Sequence, residues 1–200
     1  MSTINGTRQQ ESESETGAWT RQAPKVHVKA TLSPNVYSRS SSKSDYPRLI
    51  VTTTLLTPSV LTIETRGETD SQTILDQGFR AEHFEFYDLT ASEVVTHELF
   101  RGTCDSQEYV DRTVVMELHA SKPHVTEEEL EDGNVFADPV NILKTSHQYR
   151  LKLKPQRIRC WEGSVDDFFG EKEHYYWKDL PEPMELLLAC DDELLLKIEG

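Results

Sequence analysis

Apolar and polar residues alternate with period two over much of this chain. In Lys25–Ser33, Val26, Val28, Ala30 and Leu32 interleave with His27, Lys29, Thr31 and Ser33, the pattern of a strand with one buried face. Pro34 ends the run, and Ser38–Ser44 reads as a loop. Pro47–Thr57 is rich in β-branched residues and predicts a central strand, with Leu49, Val51, Thr53 and Leu55 on one face. Val60–Arg66 predicts its return strand, with Leu61 and Ile63 inward. Further strands are expected at His83–Leu89, Val94–Phe100, Tyr109–His119, His147–Lys154, Arg157–Trp161, Met184–Ala189 and Glu193–Ile198. Thr126 and Glu129 have capping-box spacing and predict a short helix over Thr126–Asp132, with Gly133 as its stop. Ser164–Phe169 reads as a second capped turn.

Many short strands and no long helix predict an all-β domain, and the lack of an internal repeat argues against a propeller or solenoid. The expectation is an immunoglobulin-like Greek-key β-sandwich over residues 25–200, with short helical turns in its loops. Residues 1–24 are polar and are expected to form a disordered tail.

One spacing sharpens this. In Greek-key sandwiches a Tyr near the start of a late strand turns its hydroxyl back to the backbone a few residues upstream, within Leu-x-Pro-Gly-x-x-Tyr-x-Leu. Leu143, Tyr149 and Leu151 hold those positions here, with Thr145 and Ser146 where Pro and Gly usually stand. These residues are the expected structural corner.

The same region resembles a diffuse group of uncharacterised fungal proteins. The group has a strand like Arg48–Leu56, a segment like Phe86-Tyr87-Asp88-Leu89-Thr90, and a Gly-His-x-Tyr-Arg-Leu segment before a Trp-rich stretch. This chain has Ser146-His147-Gln148-Tyr149-Arg150-Leu151 and then Cys160-Trp161-Glu162-Gly163. The resemblance covers residues 47–165. It implies an immunoglobulin-like sandwich and brings no catalytic or binding residue with it. Ser146 in place of Gly is a departure.

Charge and composition bound the function. The formal net charge is −14. Residues 25–47 carry a small positive excess, so the acid is concentrated in the body of the chain. That balance argues against nucleic acid and against an anionic membrane surface. Leu, Ile, Val and Phe supply 48 of the 200 residues, enough for a core. No run is long enough to span a bilayer, and Met1–Glu15 has no apolar stretch of a secretory signal. Cys104, Cys160 and Cys190 are odd in number and far apart, which suits a reduced protein. The expected location is the cytoplasm, with the nucleus open by diffusion.

No catalytic constellation can be assembled. Gly-x-Ser-x-Gly, HExxH, a P-loop and a dinucleotide fingerprint are all missing. No cofactor and no metal are expected. His119, His124 and Cys104 could ligate zinc only by converging from afar, and Asp166, Asp167 and Glu171 lack the ligand spacing of a calcium loop. Cys160, beside Arg159, reads as a core thiol. The aromatic group Trp161, Tyr175, Tyr176 and Trp177 is the candidate binding surface, since such residues are enriched at interfaces. The preferred reading is a non-enzymatic module that binds a protein partner through an exposed sheet edge or this aromatic loop. The alternative is a ligand carrier or small enzyme with a pocket under residues 163–180. It would use His147, Asp166, Asp167 and His174, with Trp161 as a wall.

Overall fold

The computed structural model describes residues 23–40, 42, 45–66, 73–76, 81–96, 109–130 and 143–200. The tail expected at 1–24 lies outside them except for Ala23 and Pro24, the latter buried. The protein is all-β, and its one α-helix among the described residues has five residues.

The alternating segment at the start of the described chain is β1 (Val26–Ser33). It lies antiparallel to β3 (Arg48–Leu55) in an unbroken register from Val26↔Leu55 to Ser33↔Arg48. Leu49, Val51, Thr53 and Leu55 point inward from β3 and are buried, as their spacing predicts. The other edge of β3 takes β9 (His124–Glu129), which completes the first sheet.

Residues 126–129 were expected to open a helix and instead belong to this strand. The capping spacing is local, whereas pairing with β3 runs from Arg48↔Glu129 to Thr53↔His124. Period two also puts Glu127 and Glu129 on one side, where Arg48 reaches both at 3.1 and 2.6 Å. Thr126 donates its hydroxyl to Leu75 O at 3.2 Å and does not cap a helix.

The second sheet has the order β2 (Val36–Ser38), β14 (Glu193–Glu199), β10 (Gln148–Leu153), β5 (Phe84–Asp88) and β6 (Glu93–Val94). Here β2 runs parallel to β14, and the other pairs are antiparallel. The chain therefore crosses from the first sheet to the second between β1 and β2, at the cis peptide Ser33–Pro34. Pro34 has no N–H to lose where neither sheet would pair it. Of the strand expected at Val94–Phe100, residues 94–96 are described: Val94 ends β6, and Val95 and Thr96 lie outside any strand.

A third sheet has the order β13 (Met184–Leu188), β11 (Gln156–Glu162), β4 (Val60–Glu64) and β8 (Val115–His119). Each of its strands adjoins a strand of the other sheets in sequence: β4 follows β3, β8 precedes β9, β11 follows β10, and β13 precedes β14. The pairing of β4 with β11 thus joins extensions of the first and second sheets. Phe84, Phe86, Tyr149, Leu151, Leu61, Ile63, Ile158 and Leu186 meet in one core drawn from all of these strands.

Tyr109–His119 is not one strand. Asp111 accepts hydrogen bonds from the N–H and hydroxyl of Thr113, and residues 112–114 turn as a short 3-10 helix. The segment splits into β7 (Tyr109–Asp111) and β8, which join different sheets. The partner of β7 is β12 (His174–Tyr176), in a two-stranded ribbon.

Candidate functional site

The strand β4 is buried on both faces. Leu61 and Ile63 face the main core, while Thr62 and Glu64 face the other way and are also buried. On β11, Arg159 and Trp161 share that outer face. What covers it is the excursion between β11 and β13. Gly163 starts the excursion with φ +107°, where a side chain would be strained and would meet Asp167 Cβ at 3.3 Å. Thr62 donates its hydroxyl to Gly163 O at 3.0 Å. Next comes α1 (Val165–Phe169), opened by a capping box. Asp167 N–H donates to Ser164 Oγ at 3.0 Å and Ser164 N–H to Asp167 Oδ2 at 3.1 Å. The Ser164 hydrogen bonds hold the Asp167 carboxyl below its ordinary pKa.

This excursion and the ribbon build a second, smaller core from Val110, Val114, Val115, Trp161, Phe168 and Phe169. Trp161 is 5% exposed. Its ring lies 4.6 Å from that of Phe168, and its indole N–H donates to Pro181 O at 2.9 Å. Tyr175 is half-buried, lies tilted against Phe168 with ring centroids 5.3 Å apart and donates its hydroxyl to Phe168 O at 3.2 Å. Trp177 covers Arg159, whose guanidinium carbon is 4.4 Å from the ring centroid. Below, Arg159 donates to both carboxylate oxygens of the buried Glu64 at 2.7 and 3.2 Å. Over β4 and the Arg159–Trp161 end of β11, the outer face of the third sheet is therefore covered by packing and by a bidentate ion pair, while Arg157, Glu185 and Leu187 leave its β13 side open to solvent.

Of the four aromatic candidates, only Tyr176 faces outward, at 47% exposed. Alternation along β12 explains this: Tyr175 turns into the small core, and His174 and Tyr176 turn out. Tyr176 stands directly across the ribbon from Tyr109, which is 38% exposed. The exposed His174 ring lies between them in space, 5.2 Å from Tyr109 and 5.3 Å from Tyr176. The ribbon thus has a packed inner face, Val110 and Tyr175, and an aromatic outer face, Tyr109, His174 and Tyr176. Sequence reasoning missed Tyr109, because the strand pairing that brings it to Tyr176 leaves no local signal.

The groups proposed for the alternative pocket do not converge. His147 Nδ1 is 2.7 Å from Asp88 Oδ2. Asp166 accepts from Arg112 at 2.6 Å, Asp167 caps α1, and His174 stands on the ribbon in solvent. Trp161 is buried in the small core with Phe168 and Phe169. His119 pairs with Glu117 at 2.8 Å, and a His124 ring nitrogen lies 3.0 Å from Leu75 O, while Cys104 is outside the described residues. Among the described residues no group of three His, Cys, Asp or Glu side chains could hold a metal ion. Cys160 and Cys190 are free and buried, and burial pushes the Cys160 thiol up to about 12.

Leu143, Tyr149 and Leu151, the residues expected to form a corner, are all buried. The Tyr149 hydroxyl accepts the Lys144 N–H at 2.7 Å. Beside it, Asp88 is buried and accepts from Thr90 N–H and Ala91 N–H, each at 2.9 Å. Burial acts to raise the Asp88 carboxyl. The Ala91 N–H, His147 and the Thr90 N–H together outweigh it, and the pKa falls below 3.8. The pairing Tyr149↔Asp88 and Leu151↔Phe86, with Gln148 N–H donating to Thr90 Oγ1 at 3.0 Å, makes Phe86–Thr90 and Ser146–Leu151 one unit. Ser146 has φ +66°, a conformation that favours glycine.

No helix among the described residues is long and apolar enough to cross a membrane. Comparison of the chain with family models, with curated proteins and with solved structures finds no match.

Proposed function

We propose that the protein is a non-enzymatic module that binds a protein partner and is built on an immunoglobulin-like Greek-key sandwich. Three features support the sandwich reading. The strand orders β1-β3-β9 and β2-β14-β10-β5-β6 suit two opposed sheets of that type. The first strand changes sheet part-way, as β1 and then β2. The Tyr149 hydroxyl bonds back to the corner ahead of its own strand. The two joined motif segments also suit membership of the fungal group that the sequence resembles.

The observation that carries the binding role is the outer face of the ribbon. Tyr109 and Tyr176 are rigid, amphipathic side chains placed side by side with His174, on a backbone that the small core fixes from beneath. A chain of net charge −14 selects basic partners by long-range attraction, and Arg or Lys groups suit aromatic faces.

The test is affinity capture from lysate with the full chain and with a Tyr109→Ala/Tyr176→Ala variant. Both side chains point to solvent, so the variant should unfold within about 0.5 kcal/mol per site of the parent. A stoichiometric partner held by the parent and lost by the equally stable variant supports the reading. Equal capture by both removes this surface from consideration.

A further inference from the structure

An open groove of about 580 Å³ lies where the chain crosses between the first two sheets. Leu32, Pro34 and Asn35 line one side, and Asp192, Leu194 and Leu195 the other.

Two sheet edges open into it. Ser146 N–H donates to Ile198 O and Ile198 N–H donates to His147 O, so Ile198 aims its backbone groups at β10. By alternation Leu196 and Leu194 do the same, while Lys197, Leu195 and Glu193 aim theirs at the opposite edge. Asn35 O takes the Lys197 N–H at 2.8 Å. Since β2 begins at Val36, it does not reach Leu195 or Glu193, whose outward N–H and C=O groups face the groove. On β1, Leu56 N–H donates to Lys25 O, so odd-numbered residues bond to β3 and Ala30 and Leu32 turn their backbone outward. The Ala30 N–H is taken by Asp192 Oδ2 at 3.0 Å. At that point a side-chain carboxylate stands in for the carbonyl of a missing strand.

We infer that this groove takes an extended basic segment of a partner protein, which adds to the Glu193–Leu196 edge of β14 as a further strand. Main-chain donors and acceptors at Leu195 supply the pairing, as in other cases of strand addition to a sheet edge. Asp192 and Glu193 line the groove, with Asp191 beside them in sequence; Lys29 in the lining and Arg150, 3.5 Å from Glu193, offset part of this charge, and the net charge of −14 on the chain adds to what is left, which selects Lys or Arg in the incoming segment. Leu195, 45% exposed, gives an apolar cross-strand neighbour for one residue of that segment. Four edge residues at about 3.3 Å each span roughly 13 Å, which fixes the paired segment at about four to six residues. This site shares no residue with the aromatic face of the ribbon and stands independently of it.

The probe is a fluorescein-labelled, acetylated Lys-Val-Lys-Val-Lys-Val-Lys peptide titrated with the full chain, read by anisotropy. Leu195→Pro removes one outward N–H and no bond to β10, a substitution that edge strands accept. Leu195→Lys keeps the N–H and sets a like charge against the peptide. The expected result is saturable binding with a Kd below about 1 mM, weakened about tenfold or more in both variants and missing for the Glu-Val counterpart. Circular dichroism confirms that each variant is folded, and should Leu195→Pro not fold, Leu195→Lys decides alone. Lack of saturation in that range, equal binding of the acidic peptide, or an unaltered affinity in Leu195→Lys would each overturn the inference. A concentration-dependent rise in mass by sedimentation equilibrium, removed by Leu195→Lys, would assign the edge to a second copy of the chain instead.

Discussion

Replacing Tyr149 by Phe deletes one oxygen and leaves a buried ring in place. That oxygen is the acceptor for the Lys144 N–H at 2.7 Å, and the Lys144 carbonyl at 3.5 Å gives the hydroxyl only a weak return bond. The variant therefore strands a backbone donor at the entry to β10. A buried unsatisfied N–H costs about 1–3 kcal/mol. Residues 144–146 are exposed, so water can recover part of this, and the expected loss is about 1–2 kcal/mol. For a chain of this size that lowers Tm by about 2–8 °C. The assay is urea unfolding of the full chain at neutral pH, followed by tryptophan fluorescence, with Tyr87→Phe as the control. Tyr87 is half-exposed, and the guanidinium of Arg150 lies over its ring at 5.1 Å, a contact that Phe keeps. The control should stay within about 0.5 kcal/mol of the parent. An unchanged slope with a lower midpoint identifies a change in native stability. If Tyr149→Phe loses no more than Tyr87→Phe, the corner hydroxyl does not hold the loop and the reasoning fails.

Four further outcomes follow from the same geometry. Ser146→Gly should stabilise the protein by up to about 1 kcal/mol in the same titration, because φ +66° strains any L side chain and the gain is partly offset in the unfolded chain. Asp88→Asn should destabilise at pH 7. The folded carboxyl titrates below 3.8, so its contribution is complete above that value and is lost as pH falls through the lower folded one. Parent and variant should therefore converge in acid, and a gap that is constant with pH contradicts this. Cys160 and Cys190 should resist iodoacetamide at pH 8 and react fully in denaturant, since burial raises both thiols, that of Cys160 to about 12; mass spectrometry of the alkylated peptides reads this directly. Arg159→Met should cost about 3–5 kcal/mol in urea unfolding, because it leaves the Glu64 carboxylate buried without its bidentate partner, and a loss below about 1 kcal/mol would show that water or another group replaces the guanidinium.

Strands with one wet face were legible in the sequence. In β1, β3, β5 and β10 the buried positions fall on alternate residues, and the structure buries Leu49, Val51, Phe84, Phe86, Tyr149 and Leu151 as expected. Where a second layer covers the sheet, alternation carries no information. Thr62 and Glu64 read as solvent-facing on β4, yet the excursion from 163 onward buries them. The acidic run at β9 misled because its capping spacing is local, while the pairing that overrides it comes from Arg48–Thr53. The aromatic cluster was visible as composition. Which rings pack and which face outward depended on strand phase, and that phase appears only once β12 pairs with β7. The crossing that opens the groove beside β14 leaves one mark in the sequence, Pro34 between two short apolar runs.

The parallel pairing of β2 with β14 has a mechanical consequence. It ties a strand near the start of the described chain to the strand at its end. Lys197 N–H donates to Asn35 O at 2.8 Å, and Arg39 N–H to Glu199 O at 3.3 Å. Tension applied between residues 34 and 200 pulls these two strands along their common axis in opposite senses. The bonds between them then bear the force together and must break at once, whereas an antiparallel hairpin pulled at its open end parts one rung at a time. This small parallel patch is the clamp that sets how much force the chain withstands from that end. It also shields the β10 ladder behind it from load until it gives way.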